Sequence, residues 1–254
     1  MDLGLQDARA VVTGASRGLG LAIADALAAE GAAVALVARR KDRLDDLAGR
    51  LEADGARVLV LETDVTRQDQ AEAAVERTVA ELGRLDTLVN NAGVMLLGPM
   101  EHAPVQEWQR MVELNVLGLM YCAHAALPHL LDAAQQGPRQ VADMVNISSV
   151  AGRVARLGSG VYNATKFGVG AFSESLRQEV TTRHVRVSLV EPGAVSTELA
   201  GHNRPEVQEM LKGRFGDMER MESEDIADAI TYVVTRPRRV AVNEILIRPT
   251  EQEG

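Results

Sequence analysis

"RAVVTGASRGLG", residues 9–20, joins an apolar run to a glycine-rich turn. Its first half is a short apolar run, the length of a buried strand. Its second half spaces Gly14, Gly18 and Gly20 as Gly-x-x-x-Gly-x-Gly. Glycine suits a chain that must turn sharply or let a bulky ligand approach its backbone. The alanine-rich stretch 18–30 that follows has helical character and is closed by Gly31. Strand, glycine turn and helix in that order aim the free amides and positive end of a helix at whatever the turn holds.

The same alternation continues down the chain. Strands are expected at 33–38, 57–62, 86–90, 142–148, 185–190 and 244–249. Helices are expected at 41–53, 67–82, 104–134, 159–182 and 223–235, the last capped by Ser223. The segment 134–140 reads as a loop, and 194–222 as irregular or short helical pieces. The strands are nearly continuous in apolar residues instead of alternating, which marks a parallel sheet buried on both faces. The expected fold is therefore α/β: a Rossmann-type doubly wound parallel sheet of about seven strands, with helices on both faces. No Pro-, Gly- or Ser-rich linker interrupts it, so residues 1–254 are expected to form one dinucleotide-binding and catalytic domain, with 194–222 as a substrate loop.

Composition narrows the function. Hydrophobic residues make up 46% and charged residues 25%, as in a folded globular protein. The net charge of −9, without a basic block, excludes the electrostatic footprint of a nucleic-acid binder. The N-terminal stretch has no basic segment leading into an apolar run, so no secretory signal is expected, and the apolar stretch 111–131 is broken by Glu113, Asn115, His124, Pro128 and His129. Cys122 is the only cysteine, which leaves no disulfide and points to the cytoplasm. The five histidines lack metal-ligand spacing, so no metal is expected.

A three-glycine turn after the first strand of such a sheet is where a dinucleotide binds, through Gly14, Ser16, Arg17, Gly18, Leu19 and Gly20. The second strand discriminates between cofactors. An NAD site needs an acid near its end for the ribose hydroxyl, yet here Ala38 stands there, followed by Arg39 and Arg40. Guanidinium groups hold a 2′-phosphate that an acid would repel. NADP(H) is the expected cofactor, clamped by Arg17 and Arg39 with Arg40 beside them.

The chemistry is carried by "VYNATKFG", 161–168. Tyr162 and Lys166 are one helical turn apart and share a face. An ammonium beside a phenol favours the phenolate, so Lys166 is expected to lower the pKa of Tyr162 and make it a usable acid and base. Ser149, beyond the fifth strand, can hold a substrate oxygen in register. Asn115 interrupts an otherwise apolar helix face. Arg153 stands where an anionic substrate group could meet it, and Met95 and Val150 either wall the cleft or pack in the core.

With Thr13 to Gly20, Asp64, Asn90 to Gly93, Asn115, Ser149, Tyr162, Lys166 and Pro192 through Thr197 in place, the chain resembles the short-chain dehydrogenase/reductase family essentially end to end. The resemblance implies that Tyr162 donates a proton to a carbonyl oxygen oriented by Ser149. Lys166 would bind the nicotinamide ribose, and Asn115 would hold a water in a proton relay. Asp64 and Val65 would contact the adenine. Asn91, Ala92 and Gly93 would line the cofactor cleft, and Pro192, Gly193, Val195 and Thr197 its nicotinamide end. Stretches such as "NNAGVMLLGP" and "EPGAVSTEL" are also similar to NADPH-dependent reductases of clavulanate-type aldehydes and to NADP-dependent dehydrogenases of hydroxy acids. A homotetramer, or failing that a homodimer, is implied, built on the helices at 104–134 and 159–182. The rival readings are a non-catalytic NADP-binding sensor and a dehydratase or epimerase on the same scaffold; the intact Asn115, Ser149, Tyr162 and Lys166 set speaks against the first, and the short chain against the second.

Overall fold

In a computed structural model, which describes residues 5–215 and 218–253, the strands form one parallel sheet. The strands are β1 (Arg9–Thr13), β2 (Ala33–Ala38), β3 (Val58–Glu62), β4 (Thr87–Asn90), β5 (Ala142–Ile147), β6 (Val185–Pro192) and β7 (Glu244–Ile247). Their spatial order is β3-β2-β1-β4-β5-β6-β7. Every pair is parallel, with Val11 facing Ala35 on one side and Leu88 on the other. Every residue of β2, β5 and β6 is buried, as continuous apolar runs require. The edge strands β3 and β7 alternate between more and less exposed positions, because each has a neighbour on only one side.

The connecting helices are α1 (Gly18–Ala29), α2 (Lys41–Ala53), α3 (Gln68–Leu82), α4 (Val105–Val112), α5 (Leu119–Gln136), α6 (Gly160–Val180), α7 (Pro205–Phe215) and α8 (Ser223–Val234). One face of the sheet is covered by α1, α2 and α8, with Ile23, Leu44 and Ile230 fully buried there. The other carries α3, α5 and α6 around Val75, Leu130 and Leu176. Chain order reverses between β1 and β4, and a crevice opens beyond the C-terminal ends of the strands at such a point.

Three local expectations change. The helix expected at 104–134 runs from Val105 to Gln136, with a π-helical segment Glu113–Gly118 inside it, so 134–136 are helical and the loop is shorter. Its length and composition would suffice to cross a membrane. Its apolar stripe, however, including Cys122, Ala126 and Leu130, is buried against the sheet face. The N-cap of α8 is Glu222, not Ser223, and its amide donates to Asp225 at 2.8 Å. Part of the 194–222 segment is ordered into a 3₁₀ turn, Glu198–His202, and α7; positions 216 and 217 lie outside the described residues.

Candidate active site

The glycine loop is built to keep side chains out. Gly14 and Gly18 have φ of +69° and +51°, where L side chains are strained. A Cβ on Gly20 would lie 2.3 Å from the Gly14 carbonyl oxygen. The loop is braced from β4: Asn91 Nδ2 donates to Thr13 O at 2.9 Å, and the amides of Asn91 and Ala92 donate to Thr13 Oγ1 at 2.9 and 3.0 Å. Helix α1 starts with neither a capping side chain nor an acid in its first turn. Its leading amides are therefore left without a side-chain cap, which fits a pyrophosphate.

The crevice gathers most of the expected cofactor residues: Gly14, Ser16 to Gly20, Arg39, Arg40, Asp64, Val65, Asn91 to Gly93 and Thr197, with Tyr162 and Lys166 at its floor. Arg40 donates to Ser16 Oγ at 3.0 Å and is thus steadied beside the glycine loop. The Asp64 carboxylate accepts from the amide and hydroxyl of Thr66 at 3.1 and 2.8 Å, which shapes the turn carrying Val65.

At the floor, Tyr162 is buried and hydrogen-bonded to Ser149. Ser149 Oγ also approaches Pro192 O at 3.4 Å and accepts from the Ala151 amide at 3.1 Å. Lys166 Nζ donates to Ile147 O at 2.8 Å and lies 5.9 Å from the centre of the Tyr162 ring. Burial pushes the Tyr162 phenol up to about 12, against the opposing pull of the Ser149 hydrogen bond. Burial likewise pushes Lys166 down to about 8. The expectation that Lys166 lowers the tyrosine's pKa is therefore corrected: both groups are desolvated, and that effect exceeds any attraction between them.

Asn115 sits in the π-helical segment. Its Oδ1 accepts from the Val94 amide at 2.8 Å, while Nδ2 donates to Val94 O at 2.8 Å and to Thr165 Oγ1 at 3.2 Å. Its side chain thus ties the chain after β4 to α6, and does not line the crevice. Gly93 is close by: a Cβ there would stand 3.4 Å from Asn115 Oδ1 and 3.9 Å from Lys166 Nζ. Ser149 stands beside the crevice-lining Tyr162, while Val150, Met95, Pro192, Gly193 and Val195 do not line the crevice. Val150 is buried, and Met95 packs in the apolar cluster that contains Tyr162. The Gly193 amide donates to Ile247 O of β7 at 2.7 Å, and Val195 bridges to Met221.

Arg153 does not point at the crevice. Its Nε donates to both carboxylate oxygens of Glu191, at 2.9 and 2.8 Å, and Nη2 donates to Glu244. These acids raise its pKa and fasten the Ser149 turn to β6 and β7. Sequence reasoning missed Asn163, whose Nδ2 donates to Ala151 O at 2.7 Å and Val154 O at 2.9 Å, and so pins that turn to α6 one residue from Tyr162. The one available signal is the residue type, a mediocre helix former placed directly after the tyrosine. Sequence reasoning also missed Arg110, Leu114 and Leu199 as crevice-lining residues.

The family model for short chain dehydrogenase matches residues 8–208. Glycine betaine reductase of Emericella nidulans is 41% identical over 243 residues, which is 96% of this chain but 19% of that protein. An uncharacterized oxidoreductase of Staphylococcus aureus is 36% identical, covering 96% of this chain and 98% of its own. Among solved structures, a closed serine dehydrogenase complexed with NADP+ superposes with a TM-score of 0.88 at 31% identity, over 97% of this chain and 96% of the other. The chain belongs to the short-chain dehydrogenase family and is an oxidoreductase.

Proposed function

We propose that this protein is an NADPH-dependent reductase that converts an aldehyde or ketone to an alcohol. The observation that carries the reading is the buried Tyr162, hydrogen-bonded to Ser149, on the floor of a crevice whose other end holds Arg39 and Arg40. Bound NADPH supplies the hydride. Ser149 holds the carbonyl oxygen within reach of the Tyr162 hydroxyl. A phenol pushed up to about 12 is fully protonated at neutral pH, so the acid is loaded for reduction. The alkoxide formed from a carbonyl is far more basic than this phenolate, and the proton moves downhill from Tyr162 Oη. Lys166 keeps a donor beside the tyrosine, and Asn115 holds the main chain at Val94 and α6 in register.

Arg39, Arg40 and Ser16 support a preference for the 2′-phosphate of NADP(H), and the similar serine dehydrogenase is complexed with NADP+. The substrate is a small or medium carbonyl compound, and a clavulanate-like aldehyde of secondary metabolism is one member of that class. Exposed Val112, Leu117 and Phe167, on and beside α4, α5 and α6, support assembly into a homotetramer. A buried lone thiol at Cys122 is consistent with the cytoplasm.

The test follows loss of reduced-nicotinamide absorbance, with NADPH and NADH in parallel, against aldehydes and ketones including a bicyclic β-lactam aldehyde. Turnover with NADPH above NADH is expected. Tyr162→Phe is expected to lower kcat by roughly 10²–10⁴-fold while leaving NADPH affinity intact. Full activity in that variant removes the mechanism.

A further inference from the structure

The sequence leaves Arg17 waiting for a phosphate, but in the fold its guanidinium is already engaged. Nη1 donates to Glu198, and Nη2 meets Nε2 of His202. Both partners belong to the 3₁₀ turn Glu198–His202 of the segment after β6, far along the chain from the glycine loop. An arginine can only donate, so His202 accepts through Nε2 and carries its proton on Nδ1, which is buried with no partner among the described residues. Burial first, then Arg17, holds the His202 pKa below the usual range, in keeping with a neutral ring. Thr197 rests on the same loop: a Cβ on Gly18 would lie 3.5 Å from Thr197 Cγ2. The segment is thus fastened to the glycine loop at Thr197, Glu198 and His202.

Glu198 is within the electrostatic reach of Arg40 and Arg43 as well as Arg17. Of the arginines expected at the phosphate, Arg17 and Arg40 therefore already share an anion supplied by the protein. A 2′-phosphate directed at Arg17 meets the Glu198 carboxylate on the same guanidinium, and two anions there repel each other. The Arg17 and Glu198 side chains are 29% and 59% exposed, so their ion pair is weak enough to exchange.

We propose that Glu198 competes with the cofactor's 2′-phosphate for Arg17, so that entry of the phosphate releases Glu198 from Arg17. Glu198 thereby sets how strongly the protein prefers phosphorylated over unphosphorylated cofactor. This rests on the NADP(H) reading above.

The experiment titrates adenosine 2′,5′-bisphosphate and adenosine 5′-monophosphate into the wild type and Glu198→Gln by isothermal calorimetry at low salt. Neither probe carries a nicotinamide, so binding is read apart from turnover. The variant is expected to bind the bisphosphate roughly two- to fivefold more tightly than the wild type, the size of change an exposed ion pair gives. The monophosphate is expected to bind both proteins alike, and the gain is expected to shrink in high salt. Equal binding of the two probes by the wild type overturns the NADP(H) reading and the competition with it. Discrimination by the wild type with no gain in the variant overturns the competition alone. Weaker bisphosphate binding by the variant also overturns it, because Glu198 would then be positioning Arg17 for the phosphate.

Discussion

Lys166 is a buried cation with little to offset its burial, and replacing it with methionine is expected to stabilise the protein while destroying its activity. The residue is only 7% exposed. Its Nζ donates to Ile147 O at 2.8 Å, and among the described residues it makes no ion pair with a carboxylate. Burial moves its pKa from 10.5 to about 8. A fall of that size corresponds to roughly 3 kcal/mol of folded-state destabilisation when the group is charged. Methionine fills nearly the same volume without the charge, but it leaves Ile147 O unpaired at a cost of about 1 kcal/mol or more. The net gain at pH 7 is about 1–2 kcal/mol, or roughly 3–6 °C in Tm for a chain of this size. Because the folded pKa lies below the unfolded one, the unfolded state binds more protons between them, and wild-type stability rises with pH across that interval. The advantage of Lys166→Met is therefore full below pH 8 and fades as pH climbs from about 8 toward 10.5. Calorimetric melting of both proteins without cofactor, from pH 6.5 upward, reads this directly. A methionine variant no more stable than the wild type at pH 7, or a gap that does not move with pH, would refute the reasoning.

Two further outcomes test the scaffold. Gly20→Ala places a methyl 2.3 Å from Gly14 O and 2.6 Å from Asn91 Nδ2, so the glycine loop must move. A loss of about 1–3 kcal/mol in chemical denaturation is expected, together with weaker binding of NADP+ in a titration. Asp143 is buried and accepts from Arg186 at 2.6 and 3.0 Å and from Arg139 at 3.2 Å. Asp143→Asn removes the negative charge that faces these two guanidinium groups, and a loss of about 3–5 kcal/mol in urea unfolding is expected, with cofactor binding unchanged because the cluster lies at the opposite end of the strands.

Much of the architecture was legible because its signals are local. Apolar runs of strand length, helical stretches between them and the glycines at 14, 18 and 20 specify a parallel sheet and its ligand edge. Ends of elements moved by a residue or two, as caps do. The π-helical segment at Glu113–Gly118 left only one trace in the sequence, Asn115 on an apolar face, and the bonds to Val94 and Thr165 that explain it span 21 and 50 residues. Arg153 was misplaced for a similar reason. Its partner Glu191 sits inside the apolar run of β6, and a lone acid there is a sign of a buried ion pair, but which arginine answers it depends on how the strands are laid side by side.

The order of elements, the doubly wound sheet and the pairing of Tyr162 with Lys166 on one helical turn all follow from spacing along the chain. The electrostatic state of that pair comes from how the chain packs in three dimensions. Burial depends on everything packed around a group, and here it raises the tyrosine and lowers the lysine where adjacency alone argued for a lowered tyrosine. The same packing also decides what Arg17 holds. A guanidinium is bound by whichever acceptor the fold brings near, and the fold brings Glu198 and His202 from 181 and 185 residues away.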